Sequence, residues 1–384
     1  MPVSKLIVLG GSTTALAVIR DAYRIGIQTV LFDTKNDIAS KSAIPIIKVL
    51  QQATDEQLKD EVIKLGENKR NYLIATSDEW LRFVIKYRNE FEDSYYKTIH
   101  SENEALAICL DKELFTEWCA QNSISTPKRY DAVGLLKKRE SATYPLLIRP
   151  SRTHHQKSSH KLPKAIEVNN FEELLYWCDR FEQENVKPFI TESLLSHKLV
   201  QYSVAIARSN TTTVSFVAVK KRPSARSCAV GTYVELSPNN EVENLAREAT
   251  RLLEYYGIAE VEILQSVDQE KNYIIEINAR PWLQYELAQA SGHDFLKFLL
   301  DPSNYNLGKA VKSGKRWLDF RNDLYVCFSK QHGMVRNGEI SFMKYCSSLW
   351  NTNVFANYNK FDLKPILYDI VCIAKMTIGK KWFG

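Results

Sequence analysis

The clearest alternation of apolar and polar positions lies between Tyr273 and Trp282, where Ile275, Ile277 and Ala279 alternate with Glu276, Asn278 and Arg280. A period of two predicts a strand with its polar side chains on one face. Glu260-Val261-Glu262-Ile263-Leu264 reads as a second short strand, and Asp268 to Asn272 as the turn between them. In such a hairpin Glu262 faces the same side as Glu276. Two carboxylates and a carboxamide are hard oxygen donors for one or two divalent cations, and the Arg280 guanidinium is a fork that suits a phosphate. A solvated polar face on an edge strand would account for Glu-x-Asn-x-Arg alone. The partner Glu262 across the turn is what favours the metal reading.

Elsewhere the pattern is that of a mixed α/β chain. Leu6-Ile7-Val8-Leu9 is an apolar run ending in Gly10-Gly11-Ser12. Leu16, Ile19, Ala22 and Tyr23 follow at helical spacing, Gly26 stops the helix, and Thr29 to Asp33 begins a second strand. Strand, glycine turn, helix and strand in this order predict a parallel sheet. The turn is not the Gly-x-Gly-x-x-Gly of a dinucleotide site. It either holds an anion at the helix N-terminus or simply needs glycine. Leu73 to Trp80 repeats the strand-to-helix pattern, with Ser77 or Asp78 as N-cap, or with Asp78 and Glu79 at a ligand-collecting sheet end. Asp111-Lys112 opens a helix through Trp118. Tyr144 to Pro150 is a short apolar strand bounded by prolines and carrying one cation, Arg149, which needs an anionic partner. Tyr202 to Ala207 and Thr213 to Val219 form a hairpin, followed by Lys220-Lys221-Arg222-Pro223. Glu243 to Tyr255 is a long helix that Gly257 ends.

A chain of 384 residues is too long for one simple core, and 45% hydrophobic and 25% charged residues are ordinary globular proportions. The net charge of +6 suits an anionic ligand or surface and is too small to argue for nucleic acid. Seven cysteines, an odd number without a Cys-x-x-Cys pair, read as free thiols in a reducing compartment. No signal peptide and no long apolar run are evident, so a cytoplasmic protein is expected. The C-terminal stretch Ile366 to Phe383 is apolar with basic punctuation and ends Lys380-Lys381-Trp382-Phe383. It reads as a core or homodimer helix, or as an anchor lying peripherally on the inner membrane surface.

Val261-Glu262-Ile263 followed by Ile275 to Arg280 resembles the metal-binding signature of the ATP-grasp superfamily. Pro281-Trp282 and Leu287-Ala288 to Gly292 are similar, more narrowly, to its carboxylate–amine ligase branch, which includes D-aspartate ligase-type enzymes. The resemblance runs from about residue 6 to 301 and implies an α+β (mixed α/β) protein of ATP-grasp fold. It implies a Rossmann-like α/β pre-domain (1–108), an N-lobe with a lid loop (109–188), a C-lobe with the metal site (189–301) and a C-terminal helical extension (302–384). It further implies ATP with Mg²⁺ or Mn²⁺ as cofactors, and small carboxylate and amine substrates joined into an amide; the amino acids, peptides or cell-envelope and capsule glycans on which relatives act are the expected classes. The implied metal ligands are Glu262, Glu276 and Asn278. Lys112, Arg149 and Lys161 would contact phosphates, and backbone groups of Thr191, Glu192 and Leu194 would read the adenine edge. Arg280, with Lys220 or Arg222, would orient the substrate carboxylate. Two departures from the family pattern stand out. Arg149 replaces the usual lysine, and the lid segment Ser151 to Lys161 contains no glycine, so its basic side chains would carry the phosphate contact. They leave a catalytically weak or inactive ATP-binding regulatory protein of the same fold as the alternative.

Overall fold

The run Leu6–Leu9 is strand β1, and every residue of it is buried. It pairs in parallel with β2 (Thr29–Asp33) on one side, and the sheet continues through β3 (Ile47–Leu50), β4 (Asn71–Ala75) and β5 (Tyr96–Thr98) in the order β3-β2-β1-β4-β5. Strands covered on both faces read as continuous apolar runs, which is why this sheet shows no alternation in the sequence. The computed structural model describes residues 5–44, 47–50, 53–66, 70–137, 142–151, 162–223, 230–306, 313–329 and 333–378. Helix Thr13–Arg24 buries Leu16, Ile19 and Ala22 as their spacing predicts, whereas Tyr23, expected on the same face, is 54% exposed. The glycine turn before it is a steric requirement. Gly10 has φ +103°, and a Cβ there would lie 2.7 Å from Thr76 Oγ1; one at Gly11 would lie 2.5 Å from Asp33 Oδ2.

The second sheet is antiparallel: β6 (Arg129–Tyr130), β7 (Leu146–Pro150), β8 (Ile166–Val168) and β9 (Pro188–Glu192), in the order β6-β9-β7-β8. Helix Phe171–Gln183 covers one face with Leu174, Cys178 and Phe181. The other face carries Arg149 opposite Phe189 and Leu147 opposite Thr191. The sheet thus keeps Pro188–Glu192 with the preceding strands, past the 188/189 boundary expected from the sequence.

The third sheet has seven strands: β10 (Leu199–Arg208), β11 (Thr213–Pro223), β12 (Gly231–Leu236), β13 (Gly257–Ser266), β14 (Lys271–Asn278), β15 (Arg316–Leu318) and β16 (Val354–Phe355). Its order is β14-β13-β10-β11-β12-β15-β16, with β14 at one edge. Helix Asn240–Leu252, capped by Asn239 and ending earlier than the expected Tyr255, lies against β10 and β11. Gly257, expected as a helix cap, instead opens β13 at φ +112°. Ile7, Leu9, Phe32 and Trp80 of the first unit share one hydrophobic core with Val204, Val261, Ile274 and Ile277 of the third sheet. The parallel sheet and the β13–β14 ribbon are therefore held in fixed relation. His100 adds a polar tie. Its Nε2 accepts the Ala75 N–H at 2.7 Å, and its backbone bridges to Gly257.

The C-terminal extension is not only helical as expected, since it supplies β15 and β16. Helix Phe320–Phe328 then locks onto β11. Arg222 Nε and Nη2 each donate to Asp323 at 2.8 Å, Thr232 Oγ1 donates to the same carboxylate at 2.8 Å, and the guanidinium lies 4.1 Å from the Tyr233 ring centre. Asp362 does the same for the first unit, accepting from Arg20 Nε at 3.2 Å, Ser42 Oγ at 2.9 Å and the Ala43 N–H at 2.7 Å. Arg222, expected to orient a substrate carboxylate, is thus a buried tether of the extension.

Two stability predictions follow from these ties. Asp323→Ala strands a buried guanidinium and should cost about 3–5 kcal/mol in urea denaturation, whereas Arg222→Met with Asp323→Leu should cost much less. Burial, reinforced by the Arg88 charge, pushes the His100 imidazole down to about 3. The folded chain therefore keeps His100 neutral where the unfolded chain protonates it. Stability is complete above about pH 6.5 and falls as the pH drops toward 3, by at most about 1.4 kcal/mol per unit. His100→Gln should flatten that part of a pH-dependent denaturation series; an unchanged slope would assign it to other groups.

Candidate active site

The β13–β14 ribbon sets the register of the polar side chains. Glu260 pairs with Asn278 and Glu262 with Glu276, and then the register shifts so that Ile263 pairs with Ile274. Ile275 is the extra residue of a bulge, a device that re-aims neighbouring side chains. The strand stops at Asn278, so Arg280, expected within it, stands just beyond, with its N–H bonded to the Asn278 carbonyl at 2.8 Å.

The side chains converge as predicted and recruit others. Asn278 Nδ2 donates to Glu260 at 3.1 Å, Glu276 at 3.3 Å and Glu262 at 3.5 Å. Lys220 Nζ, reaching over from β11, lies 2.8 Å from Glu262 and 3.7 Å from Glu260. Gln201 Nε2 donates to the other Glu262 oxygen at 3.1 Å, and Ser203 Oγ donates to Glu260. Sequence reasoning missed Glu260, Gln201 and Ser203 as site residues. Glu260 could have been found, since it precedes Glu262 by two on the same strand. Gln201 and Ser203 could not, because only the β10–β13 register, with Ser203 opposite Glu262, brings them in.

The electrostatics follow from crowding like charges in a partly dry place. Burial, then the neighbouring Glu262 charge, raises Glu276 above the ordinary glutamate range, against the pull of Lys112 and Arg149. Burial lowers Lys112, with Glu276 opposing and Arg149 reinforcing. For Lys220 burial alone would lower the ammonium, but Glu260 and Glu262 outweigh it and hold it well above the usual lysine value. Arg280 donates Nε to Asp78 of the first unit at 2.5 Å, and that carboxylate, with Glu260 and Glu276, keeps its proton firmly bound despite burial. The N-cap of helix Asp78–Lys86 is Ser77, which leaves Asp78 for this ion pair.

Lys112 follows the N-cap Asp111 of helix Lys112–Gln121, and its backbone N–H bonds to the Ser151 carbonyl at 3.3 Å. A small cleft lined by Asp78, Lys112, Phe115, Glu276 and Asn278 joins this helix to the ribbon. Arg149 stands over the Phe189 ring at 5.5 Å on the open face of the second sheet, with its charge felt at both Glu276 and Lys112. Lys161 and residues 152–160 of the expected lid lie outside the described residues.

The expected hinge is partly engaged. Thr191 sits between β6 and β7 in register with Arg129 and Leu147, and the Glu192 N–H is bonded to the Lys128 carbonyl at 2.8 Å. The Thr191 hydroxyl, on the open face, is buried without a hydrogen-bond partner among the described residues. Leu194 is buried with Leu264 and Tyr273, and Leu199 and Ile275 pack on them.

Glu262 and Glu276, in register and like-charged, are a fitting pair of hard donors for a small divalent cation. Among the described residues no group of three or more His, Cys, Asp or Glu side chains forms a metal cage. A cation here would complete its shell with Asn278, ligand oxygens and water, which is how Mg²⁺ is commonly held.

No family model matches the chain, and no curated protein matches it. Solved structures do. The biotin carboxylase domain of Hydrogenobacter thermophilus 2-oxoglutarate carboxylase, solved with MgADP and bicarbonate, superposes with a TM-score of 0.64 at 13% identity, over 82% of this chain and 74% of that one. N5-carboxyaminoimidazole synthetase from Staphylococcus aureus gives 0.64 at 14% identity, over 85% and 87%. Carboxyaminoimidazole ribonucleotide synthase from Aspergillus clavatus, solved with ATP, gives 0.64 at 16% identity, over 82% and 80%. The likeness extends over more than four fifths of this chain, and the chain has the ATP-grasp fold.

Proposed function

We propose that this protein is an ATP-dependent ligase that joins a carboxylate to an amine through an acyl phosphate. The observation that carries the reading is the cleft where Glu276 and Asn278 meet Lys112, with the charges of Glu262 and Arg149 acting on Glu276 in opposite senses. Anionic and cationic groups face each other there as a metal–triphosphate pair demands. The named neighbours, two of them solved with adenine nucleotides and one with bicarbonate, support the choice of ligand.

Glu262, Glu276 and Asn278 would hold magnesium, which would supply charge neutralisation at the transferring phosphoryl group. Lys112 and Arg149 neutralise phosphate oxygens, the role that the family resemblance implies for Lys161 as well. The buried Thr191 hydroxyl and the backbone of Thr191, Glu192 and Leu194 suit the polar edge of an adenine ring, with the partly buried Ile275 beside Leu194. Arg280, oriented by Asp78, and Lys220 lie on the ribbon side, where they hold the substrate carboxylate against the γ-phosphate. A carboxylate oxygen attacks the γ-phosphorus and the bond to the bridging β–γ oxygen breaks, releasing ADP. An amine nitrogen then attacks the acyl carbon, the carbon–oxygen bond to phosphate breaks, and the nitrogen loses a proton to give the amide. No side-chain nucleophile is needed. Positioning and electrostatics supply the rate.

An ATP-binding protein without ligase activity is the second reading, favoured by Arg149 in the usual lysine position and by the glycine-free segment 151–161. Release of ADP, screened over amino acids and uronic acids with and without amines, separates the two. The ligase reading expects turnover that needs both an acid and an amine. Glu276→Gln should lower it by roughly 10²–10³-fold with the fold intact. ADP release that is indifferent to every acid and amine, or unmoved in this variant, would overturn the assignment.

A further inference from the structure

The C-terminal helix Lys364–Ile378 carries apolar side chains on its outer side as well as its inner one. Leu363 just before it, Leu367, Ile370, Val371 and Ala374 fall at i, i+4, i+7, i+8 and i+11, a single stripe about 100° wide. That stripe faces solvent: Leu367 is 61% exposed, Ile370 54% and Val371 50%. The side turned toward the protein carries Asp369, which is buried, paired with Arg321 at 2.9 Å and bonded to Asn357 at 2.5 Å. The inward side also carries the buried Pro365 and the half-buried Tyr368, which packs against the core, so the leucine and isoleucine presented to water form a second apolar face beyond the one the fold uses. Other large apolar groups of the same extension are exposed as well, with Met343 at 77% and Trp350 at 90% on helix Phe342–Trp350.

Charge identifies the partner. Residues 333–384 hold seven Lys and Arg against three acids. Two of those acids, Asp362 and Asp369, are buried in ion pairs with Arg20 and Arg321. Glu339 alone is left as an exposed acid, while Lys344, Lys360 and Lys364 are all exposed, the second lying 4.8 Å from the Phe361 ring centre. Lys364 lies on the helix at the edge of the stripe, beside Val371 by helical spacing, and an apolar stripe in so cationic a segment is the chemistry of a helix lying in the headgroup plane of an anionic bilayer. A second copy of the chain fits poorly, because a two-fold contact would press the same cations together. Among the described residues no helix is long and apolar enough to cross a membrane. We propose that the C-terminal extension docks this protein, by the Leu363–Ala374 stripe and its flanking lysines, on an anionic lipid surface. The inference does not depend on the ligase reading.

Flotation of the full chain with phosphatidylcholine vesicles, with and without phosphatidylglycerol and at low and high salt, tests it. At low salt about tenfold more protein should float with the anionic vesicles, and high salt should remove most of the difference. Leu367→Glu with Ile370→Glu should abolish flotation and, both positions being exposed, leave the urea midpoint unchanged. Equal binding to both vesicle types, or full binding by the double variant, would overturn the proposal. So would concentration-dependent self-association that the double variant abolishes, which would give the face to a second copy.

Discussion

The structure depends on keeping like charges together. Glu260, Glu262 and Glu276 share one face of a two-stranded ribbon, and burial together with the Glu262 charge raises the Glu276 carboxyl. At an effective dielectric of about 20, two unit charges 4 Å apart interact by about 4 kcal/mol, so such a group stands only with compensation. The fold supplies it from three directions: Lys220 from β11, Lys112 from the helix after the first unit, and Arg149 from the second sheet. Asn278 contributes a neutral bridge to all three carboxylates.

Those compensating groups are useful only where the units carrying them cannot drift apart. The shared core of Leu9, Trp80, Val261 and Ile277 fixes the parallel sheet against the ribbon, so the Arg280–Asp78 pair closes across a packed seam. Interiors this dense transmit displacement, and a side chain on one unit can therefore set the geometry of a group on the other. The extension adds to the same rigidity through Asp323 and Asp362, each of which accepts several bonds and leaves little of its desolvation cost unmet.

Much of this was legible in the residues, for physical reasons that differ from place to place. The parallel sheet showed as apolar runs divided by a glycine turn, because strands buried on both faces leave no other pattern. The glutamate ribbon showed because Glu276 and Asn278 lie on one face at period two. The same rule extended to Arg280 failed, because the strand ends at Asn278, and local alternation carries no information about where pairing stops. Gln201 and Ser203 were invisible because nothing in β10 reveals which strand lies beside it. Arg222 was misjudged for the same reason. Its anionic partner, Asp323, is 101 positions away, and a cation next to a candidate site looks the same whether it awaits a substrate or already holds a carboxylate.

The fate of Lys220-Lys221-Arg222 shows how a small irregularity divides such a run. Between Lys220 and Arg222 the β11–β12 register shifts, so that Lys220 pairs with Val234 but Arg222 with Tyr233. Without the shift the two cations would lie on one face and compete for the same carboxylates. With it, the ammonium, a compact point charge, enters the glutamate cluster, and the guanidinium, a planar fork, takes the bidentate pair and the tyrosine ring. Counted at the cleft, Lys112, Arg149, Lys220 and Arg280 balance Glu260, Glu262, Glu276 and Asp78. A triphosphate entering a site so balanced brings charge that these side chains cannot offset further. Positive charge beyond these side chains, such as a divalent cation brings, is what such a ligand would require, and this requirement comes from the charge balance, independently of any likeness to other proteins.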